Sequence, residues 1–432
     1  MRPGSRRNRE QGIIVVLVAV VMLFVIGAMA ALSIDVVTLY TARSEAQLAA
    51  DAAALAAARV LANSGTTSDT SGASIGGAQA LASAVAIQVA QQNLVGGAQP
   101  TVLPPVYGGP IGNPTVTITV QVTNLPTFFA RIWGRNTIAV SASATAEAYN
   151  PSGAGALGTA PVAPACVKPW LLPNIDPSNI TNPGSPIFDP TAGTIKTTTL
   201  LGWSSSNPGG VPMSLACPGG NCSGVPLPAP AAAGWQYYPG DPSSFPAPTN
   251  ALPDCVPPLN TAYEESIAGC IQTPISCNSQ ANIDLTNYFR RNRETERAVN
   301  CLAHTRTGEG DQVDFANGQN PPFQFLAGND NPIAGLAGNN VMVSDSLVTV
   351  PVFDVGQPAS PGPPPTFTPP TNPVQIIGFV QLFLSPLGTA TTNSGQVQTA
   401  VINLAGCGTG AVATPIILGN GASPVAVRLI SP

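Results

Sequence analysis

A chain of 432 residues is long enough for two or three domains with real cores. Only 9% of it is charged, its mean hydropathy is +0.22, and it holds 43 Gly and 46 Pro, which fits neither a typical cytosolic enzyme nor a charged disordered tail. Four of the 16 basic residues (Arg2, Arg6, Arg7, Arg9) precede an apolar run, leaving 12 basic groups against 20 acidic ones once Glu10 is set aside from the 21. Such an acidic body without a basic stripe excludes nucleic acid as a partner.

Residues 13–34 are 22 positions without a charge, about 33 Å of helix, matching a bilayer core of ~30 Å. Ala28-Met29-Ala30 inside this run has the small-x-small pattern of a signal-peptidase site, but a secretory apolar region is shorter, about 7–15 residues. The arginines before the run, with no basic residue after it until Arg43, put the N-terminus in the cytoplasm. Residues 44–62, SEAQLAADAAALAAARVLA, continue the helix, being dominated by Ala and free of Gly and Pro. One helix over about 13–62 is expected, with 1–12 a basic cytoplasmic tail, 13–34 the span and 35–62 an extracytoplasmic continuation. Leu48 and Leu55 form a narrow apolar stripe on it, Arg43, Gln47 and Asp51 a polar edge, and Tyr40 an interfacial aromatic.

The order of Gly12, the apolar run, Asp35, Tyr40, Arg43 and the Ala-rich block at 50–57 resembles the N-terminal domain of Flp-pilus (tight adherence, Tad) assembly proteins of the TadE/TadG-like type. The resemblance implies a single-pass protein of the bacterial inner membrane with most of the chain outside the cytoplasm. Its partners would be other pilus-assembly or secretion subunits, with self-association through the N-terminal helix. Asp35, Tyr40, Arg43, Gln47, Leu48, Asp51 and Leu55 are the candidate interaction residues of the helix. Two family features are missing. The fifth residue after Gly12 is Leu17 where prepilin processing wants Glu, and no Asp-x-Ser-x-Ser metal site occurs, since Asp345-Ser346-Leu347 breaks the pattern.

Residues 63–150 read as a small pilin-like α/β unit. A polar turn leads to a helix at 78–93 with Leu81, Val85 and Val89 at four-residue steps. Residues 114–124 and 137–149 alternate as half-buried strands. Between them Phe128, Phe129 and Trp133 sit on a turn ended by Gly134. They are read as filling the sheet's own core, with docking of a partner subunit as the alternative.

Residues 151–432 read as a Cys/Pro-rich β domain. Strands are expected in the runs beginning near Val341, Val374, Gln396, Thr414 and Val425, closing a sheet or sandwich, with a proline-rich loop at 357–373. Residues 284–303 are the one plausible long helix, read as a solvated helix with local ion pairs. Cys166, Cys217, Cys222, Cys255, Cys270, Cys277, Cys301 and Cys407 are candidate disulfide cysteines, an even count suited to an extracytoplasmic location. The short separations within 217–222 and 270–277 each fit a small loop, but eight cysteines allow 105 pairings.

Two short enzymatic patterns occur without their context: Gly72-Ala73-Ser74-Ile75-Gly76 has the Gly-x-Ser-x-Gly spacing but lies in a polar turn, and Gly153-Ala154-Gly155-Ala156-Leu157-Gly158 has the Gly-x-Gly-x-x-Gly spacing but lies in a small-residue linker with no helix after it. No HExxH or Walker A pattern occurs, and His304 is the only histidine. Asp311 and Asp314 lie in a polar loop without EF-hand spacing, read as a surface turn. The expectation is an α+β protein without cofactor, catalytic residue or metal, acting in pilus assembly or secretion. The alternative is a membrane-moored surface adhesin that recognises its target through the Cys/Pro-rich domain.

Overall fold

A computed structural model describes residues 7–153, 160–177, 185–196, 200–202, 210–216, 234–250, 252, 255–284, 291–305, 310–314, 319–331, 334–355, 373–387, 396–408, 417–418 and 423–431. Cys217, Cys222 and nearly all of the proline-rich loop lie outside these residues. The first element, α1 (Arg7–Asn63), is one unbroken helix of 57 residues, about 85 Å long at ~1.5 Å per residue. No proline interrupts it, and Gly65, in the left-handed region at φ 79°, turns the chain away after Asn63. A side chain at Gly65 would come within 2.6 Å of the Ile402 carbonyl, so this turn requires glycine.

Packing divides α1 in two. Residues 12–30 are exposed throughout, while burial begins at Ala31 and Asp35 and becomes continuous along Ala42, Ala46, Ala49, Ala50, Ala53, Ala54, Ala57 and Ala58. That alanine stripe lies on α2 (Ile75–Gln92) and on an antiparallel sheet. The sheet contains β1 (Thr101–Val102), β2 (Val106–Gly108), β3 (Thr115–Pro126) and β4 (Thr137–Tyr149). In β3 the alternation expected from sequence places Val116, Ile118, Val120 and Val122 in the core. On α2 the buried stripe is Ala78, Ala82, Ala86 and Ala90, one step from the expected Leu81, Val85 and Val89, which are half-buried. Small residues let α1 and α2 approach closely, and the bulkier side chains flank the seam.

The rest of the chain is β-rich. Six strands pair into a closed ring: β6 (Trp170–Pro173), β8 (Trp235–Pro239), β7 (Val211–Leu215), β15 (Val397–Gly406), β14 (Val374–Leu384) and β13 (Leu347–Phe353), which pairs back to β6. Closure removes the open edges of the expected sheet or sandwich. β14 and β15 are covered on both faces, which accounts for their near-continuous apolar sequence. Val380, Leu382, Val401 and Leu404 join the large core with Trp170 and Tyr237, while Phe383, Ala400 and Ile402 pack outside against Phe323 and Phe325. That outer cover includes a small sheet of β10 (Gln312–Val313), β11 (Phe325–Leu326) and β12 (Asn340–Val341). β9 (Gln280–Ala281) extends β14, and β5 (Val162–Ala163) pairs with β16 (Ile417–Leu418).

Four expectations are corrected here. The final strand β17 (Ala426–Ser431) does not join the C-terminal sheet; it pairs antiparallel with β4 and completes the N-terminal sheet across the expected division at residue 151. Cys270 and Cys277 do not bond to each other: the described disulfides are Cys166–Cys270, Cys255–Cys301 and Cys277–Cys407. They close loops of 104, 46 and 130 residues, each of which restrains the unfolded chain. The described helix α4 (Arg291–Leu302) is no solvated surface helix, because it buries Arg291, Glu294, Thr295, Ala298, Val299 and Leu302. It packs against α3 (Ala262–Ala268), whose N-terminus is closed by a Thr261/Glu264 capping box. Finally, Asp311 and Asp314 are buried, and Asp311 accepts hydrogen bonds from the Gly328 N–H (2.9 Å) and the Ser344 hydroxyl (2.6 Å).

Lys168 makes the barrel domain pH-sensitive. It is buried, its Nζ donates to the Gly269 carbonyl at 2.6 Å, and desolvation lowers its pKa to about 7 against the opposing pull of Asp345. In the unfolded chain a lysine keeps its proton to about 10.4. Between these values the unfolded state binds more protons, so stability rises with pH from about 7 to 10. Lys168→Met should flatten that slope. The check is the urea midpoint of the barrel, followed by Trp fluorescence at several pH values.

Candidate functional site

The site with the most specific geometry lies where α1 stops being bare. Asp35 follows the uncharged run and is 8% exposed. Its Oδ1 accepts the Phe128 N–H at 2.9 Å, and its Oδ2 accepts the N–H groups of Phe129 (3.0 Å) and Ala130 (2.7 Å). These amides open the short 3₁₀ turn Ala130–Trp133 between β3 and β4. A helical turn leaves its first N–H groups without internal partners, and a carboxylate there gains both hydrogen bonds and dipole stabilisation. Here α1 supplies that cap from more than ninety residues away. Desolvation works to raise the Asp35 pKa, but the three donors outweigh it and hold the carboxyl below its ordinary value.

From this latch β4 runs alongside α1. Gln47 Nε2 donates to the Ser143 carbonyl at 3.3 Å. The 12 residues of α1 from Asp35 to Gln47 rise about 18 Å, and the six of β4 from Thr137 to Ser143 about 20 Å. The far end of α1 is bound to the barrel through Asn403 of β15, which is fully buried. Its Nδ2 donates to the Ala62 carbonyl and to Gln381 Oε1, both at 2.6 Å, and its Oδ1 accepts from the Thr67 and Ser68 hydroxyls, both at 3.2 Å. The Ser68 hydroxyl also accepts the Leu404 N–H at 2.9 Å, and Asn150 Nδ2 donates to the Leu404 carbonyl at the same distance. The anchor helix, the N-terminal sheet and the barrel thus meet in one buried polar joint.

The seven candidate interaction residues fall into different environments. Asp35 is turned inward as the cap just described. Tyr40 (71% exposed), Leu48 (64%) and Arg43 point away from the protein, continuing an exposed stripe with Val37 and Ser44. Gln47 and Asp51 are half-buried and bonded to each other at 2.7 Å, whereas Leu55 packs against the alanine core and leaves the exposed stripe of Leu48. Asn403 and the amides of residues 128–130 went unrecognised in the sequence. An Asn inside an apolar strand is the one signal that pointed to the joint, and backbone amides leave none.

Among the described residues no group of three or more His, Cys, Asp and Glu side chains is arranged to hold a metal. His304 Nε2 lies 3.1 Å from Asp345 Oδ2, a hydrogen bond that raises the histidine pKa and lowers the aspartate's. Its sequence neighbour Cys301 is consumed in a disulfide, and Glu264 closes the start of α3 and pairs with Arg297. The pair ties the turn after α4 to the segment before β13.

Neither the curated proteins nor the solved structures contain a match to this chain. Residues 12–60, the bare half of α1 and nearly all of its alanine stripe, match the family model for Flp pilus-assembly TadE/G-like (Tad) proteins, and the helix that anchors this fold is similar to that domain.

Proposed function

We propose that the chain is a single-pass, non-enzymatic component of a bacterial Flp (Tad) pilus-assembly or secretion apparatus. It sits in the cytoplasmic membrane with its N-terminus in the cytoplasm and everything from Asp35 onward outside. The observation that carries this reading is the coincidence of the family match with a long apolar helix whose residues 12–30 are all exposed. A soluble protein would expose an apolar rod of that size at high cost, whereas a bilayer covers it. Segments 13–34 and 35–62 are then span and extracytoplasmic stem, the small sheet unit is the collar around the stem, and the barrel is the distal body.

The stripe Val37, Tyr40, Ser44 and Leu48 is the surface through which the stem contacts other subunits. Ser44, small and exposed between Tyr40 and Leu48, lets a second helix approach closely just outside the lipid. The double variant Tyr40→Asp, Leu48→Asp changes two side chains that leave the surface of the fold intact. It should lower the recovery of co-purifying pilus-assembly subunits from detergent-solubilised membranes at least fivefold, with the thermal transition of the protein unchanged. Undiminished recovery would remove the stem from the interface and count against the assembly role.

A further inference from the structure

The turn held by Asp35 has a second consequence, which rests on the anchor reading above. We infer that the β3–β4 tip is an interfacial lipid contact, in which Phe128 enters the headgroup boundary and Arg131 and Arg135 engage anionic lipid phosphates. Height is the first argument. The tip amides meet a residue one position beyond the uncharged run, so the tip stands within about one helical turn, ~5.4 Å, of the hydrocarbon boundary. The headgroup layer adds ~5–7 Å on each side of the core, and the tip therefore lies inside it.

Exposure and charge are the second argument. Phe128 is 58% exposed instead of filling the sheet's core, and Arg131 and Arg135 are both exposed. Neither arginine takes part in an ion pair among the described residues. Asp35, the carboxylate beside them, is occupied by backbone N–H groups. The tip is also a built turn. Thr127 N–H donates to the Asn136 carbonyl at 3.3 Å, the Thr127 hydroxyl donates to the Arg135 carbonyl, and Gly134 closes the turn in the left-handed region at φ 80°. A rigid turn carrying one aromatic and two guanidinium groups at headgroup depth suits the aromatic belt and the phosphates of anionic lipid. Two such contacts, span and tip, would fix the tilt and rotation of the stem, which a lone helix leaves free.

The experiment uses the full chain reconstituted in phosphatidylcholine vesicles with or without phosphatidylglycerol, with lipids brominated close to the headgroup to quench the tip and lipids brominated near the acyl-chain ends to quench the middle of the span. Phe128→Trp reports the tip and Met22→Trp reports the span, each read as quenching beyond that of the parent protein. Phe128→Trp should be quenched, and the quenching should rise at least about threefold when phosphatidylglycerol is present. Arg131→Glu with Arg135→Glu should abolish the rise, about fivefold in lipid contact for each arginine lost, while Arg131→Lys with Arg135→Lys retains most of it. A quenched Met22→Trp with an unquenched Phe128→Trp overturns the tip contact and leaves the anchor standing. The same holds if the tip becomes shielded only when a pilus subunit is co-reconstituted, which assigns the surface to a protein partner. Quenching that ignores both phosphatidylglycerol and the charge reversal overturns the role of the arginines. If neither tryptophan is quenched, the anchor reading fails as well.

Discussion

Replacing Arg291 with alanine should lower the unfolding free energy of the barrel domain by about 3–5 kcal/mol, the usual cost of breaking a buried ion pair from one side. Arg291 is 3% exposed. Its guanidinium pairs with Asp284, donates to Glu294 Oε2 at 2.6 Å, and lies 4.3 Å from the centre of the Tyr263 ring. Desolvation opposes its charge, but the two carboxylates outweigh that and raise its pKa. The Thr295 hydroxyl, one residue beyond Glu294, hydrogen-bonds with the Tyr237 hydroxyl at 2.8 Å and with the Tyr263 hydroxyl at 3.1 Å, so α3, α4 and β8 share one buried polar centre. Burial pushes the Tyr237 phenol up to about 12, which keeps it neutral and available for hydrogen bonding at any physiological pH. Without the guanidinium, Asp284 and Glu294 lose their counter-charge in a place that water does not reach. Arg291→Lys should recover only part of the loss, because an ammonium cannot present the planar fork that serves two carboxylates at once. The measurement is urea unfolding of the barrel followed by Trp fluorescence. A midpoint shift equivalent to less than about 1 kcal/mol for Arg291→Ala would show that the carboxylates find water or other partners.

The second large effect is expected at Asn403. Asn403→Leu keeps the size of the side chain but deletes four hydrogen bonds at the joint between α1 and the barrel. The Ala62 carbonyl, the Thr67 and Ser68 hydroxyls and Gln381 all bond to it directly. At about 1–3 kcal/mol for a buried group left unsatisfied, with the Ser68 hydroxyl still bonded to Leu404 and some apolar gain in offset, the net loss should be about 2–4 kcal/mol. Its location matters as much as its size, because the joint connects the end of α1 to the barrel. Hydrogen exchange should speed up at the end of α1, around residues 66–68 and along β15. The amides of residues 128–130, capped by Asp35 far along the helix, should keep their protection. Acceleration spread evenly over the whole protein would instead mean global destabilisation, and unchanged exchange would mean that the joint is held by packing alone.

Legibility in the sequence followed the range of the interactions involved. The long helix, the alternation of β3 and the bounds of β4 rest on local periodicity, and local periodicity is written in consecutive letters. The Leu81, Val85 and Val89 stripe on α2 was displaced by one residue because Ala-on-Ala contact with α1 won over side-chain size. The partners of Cys270 and Cys277 were left open, because proximity in sequence does not decide proximity in space. Each of these cysteines bonds to a residue more than a hundred positions away. β17 shows the same limit, since its apolar alternation marks a strand but names no neighbour.

Composition and periodicity by themselves determined that this chain carries one membrane-length helix, an Ala-rich stem continuing it and a β-rich, disulfide-bearing body. Those properties are sums over neighbouring residues, and the hydrophobic effect and helix propensity act on such sums. Only the tertiary structure decided that six strands close into a barrel, that the last strand returns to the first sheet, and that Asp35 faces inward. The resemblance made Asp35 a candidate interaction residue of the helix, and a carboxylate beside a membrane span is costly unless something pairs with it. The pairing groups are backbone amides, which every residue possesses and no sequence position advertises. The fold had to bring the turn at residues 128–130 to that height on the helix before the carboxylate had a role.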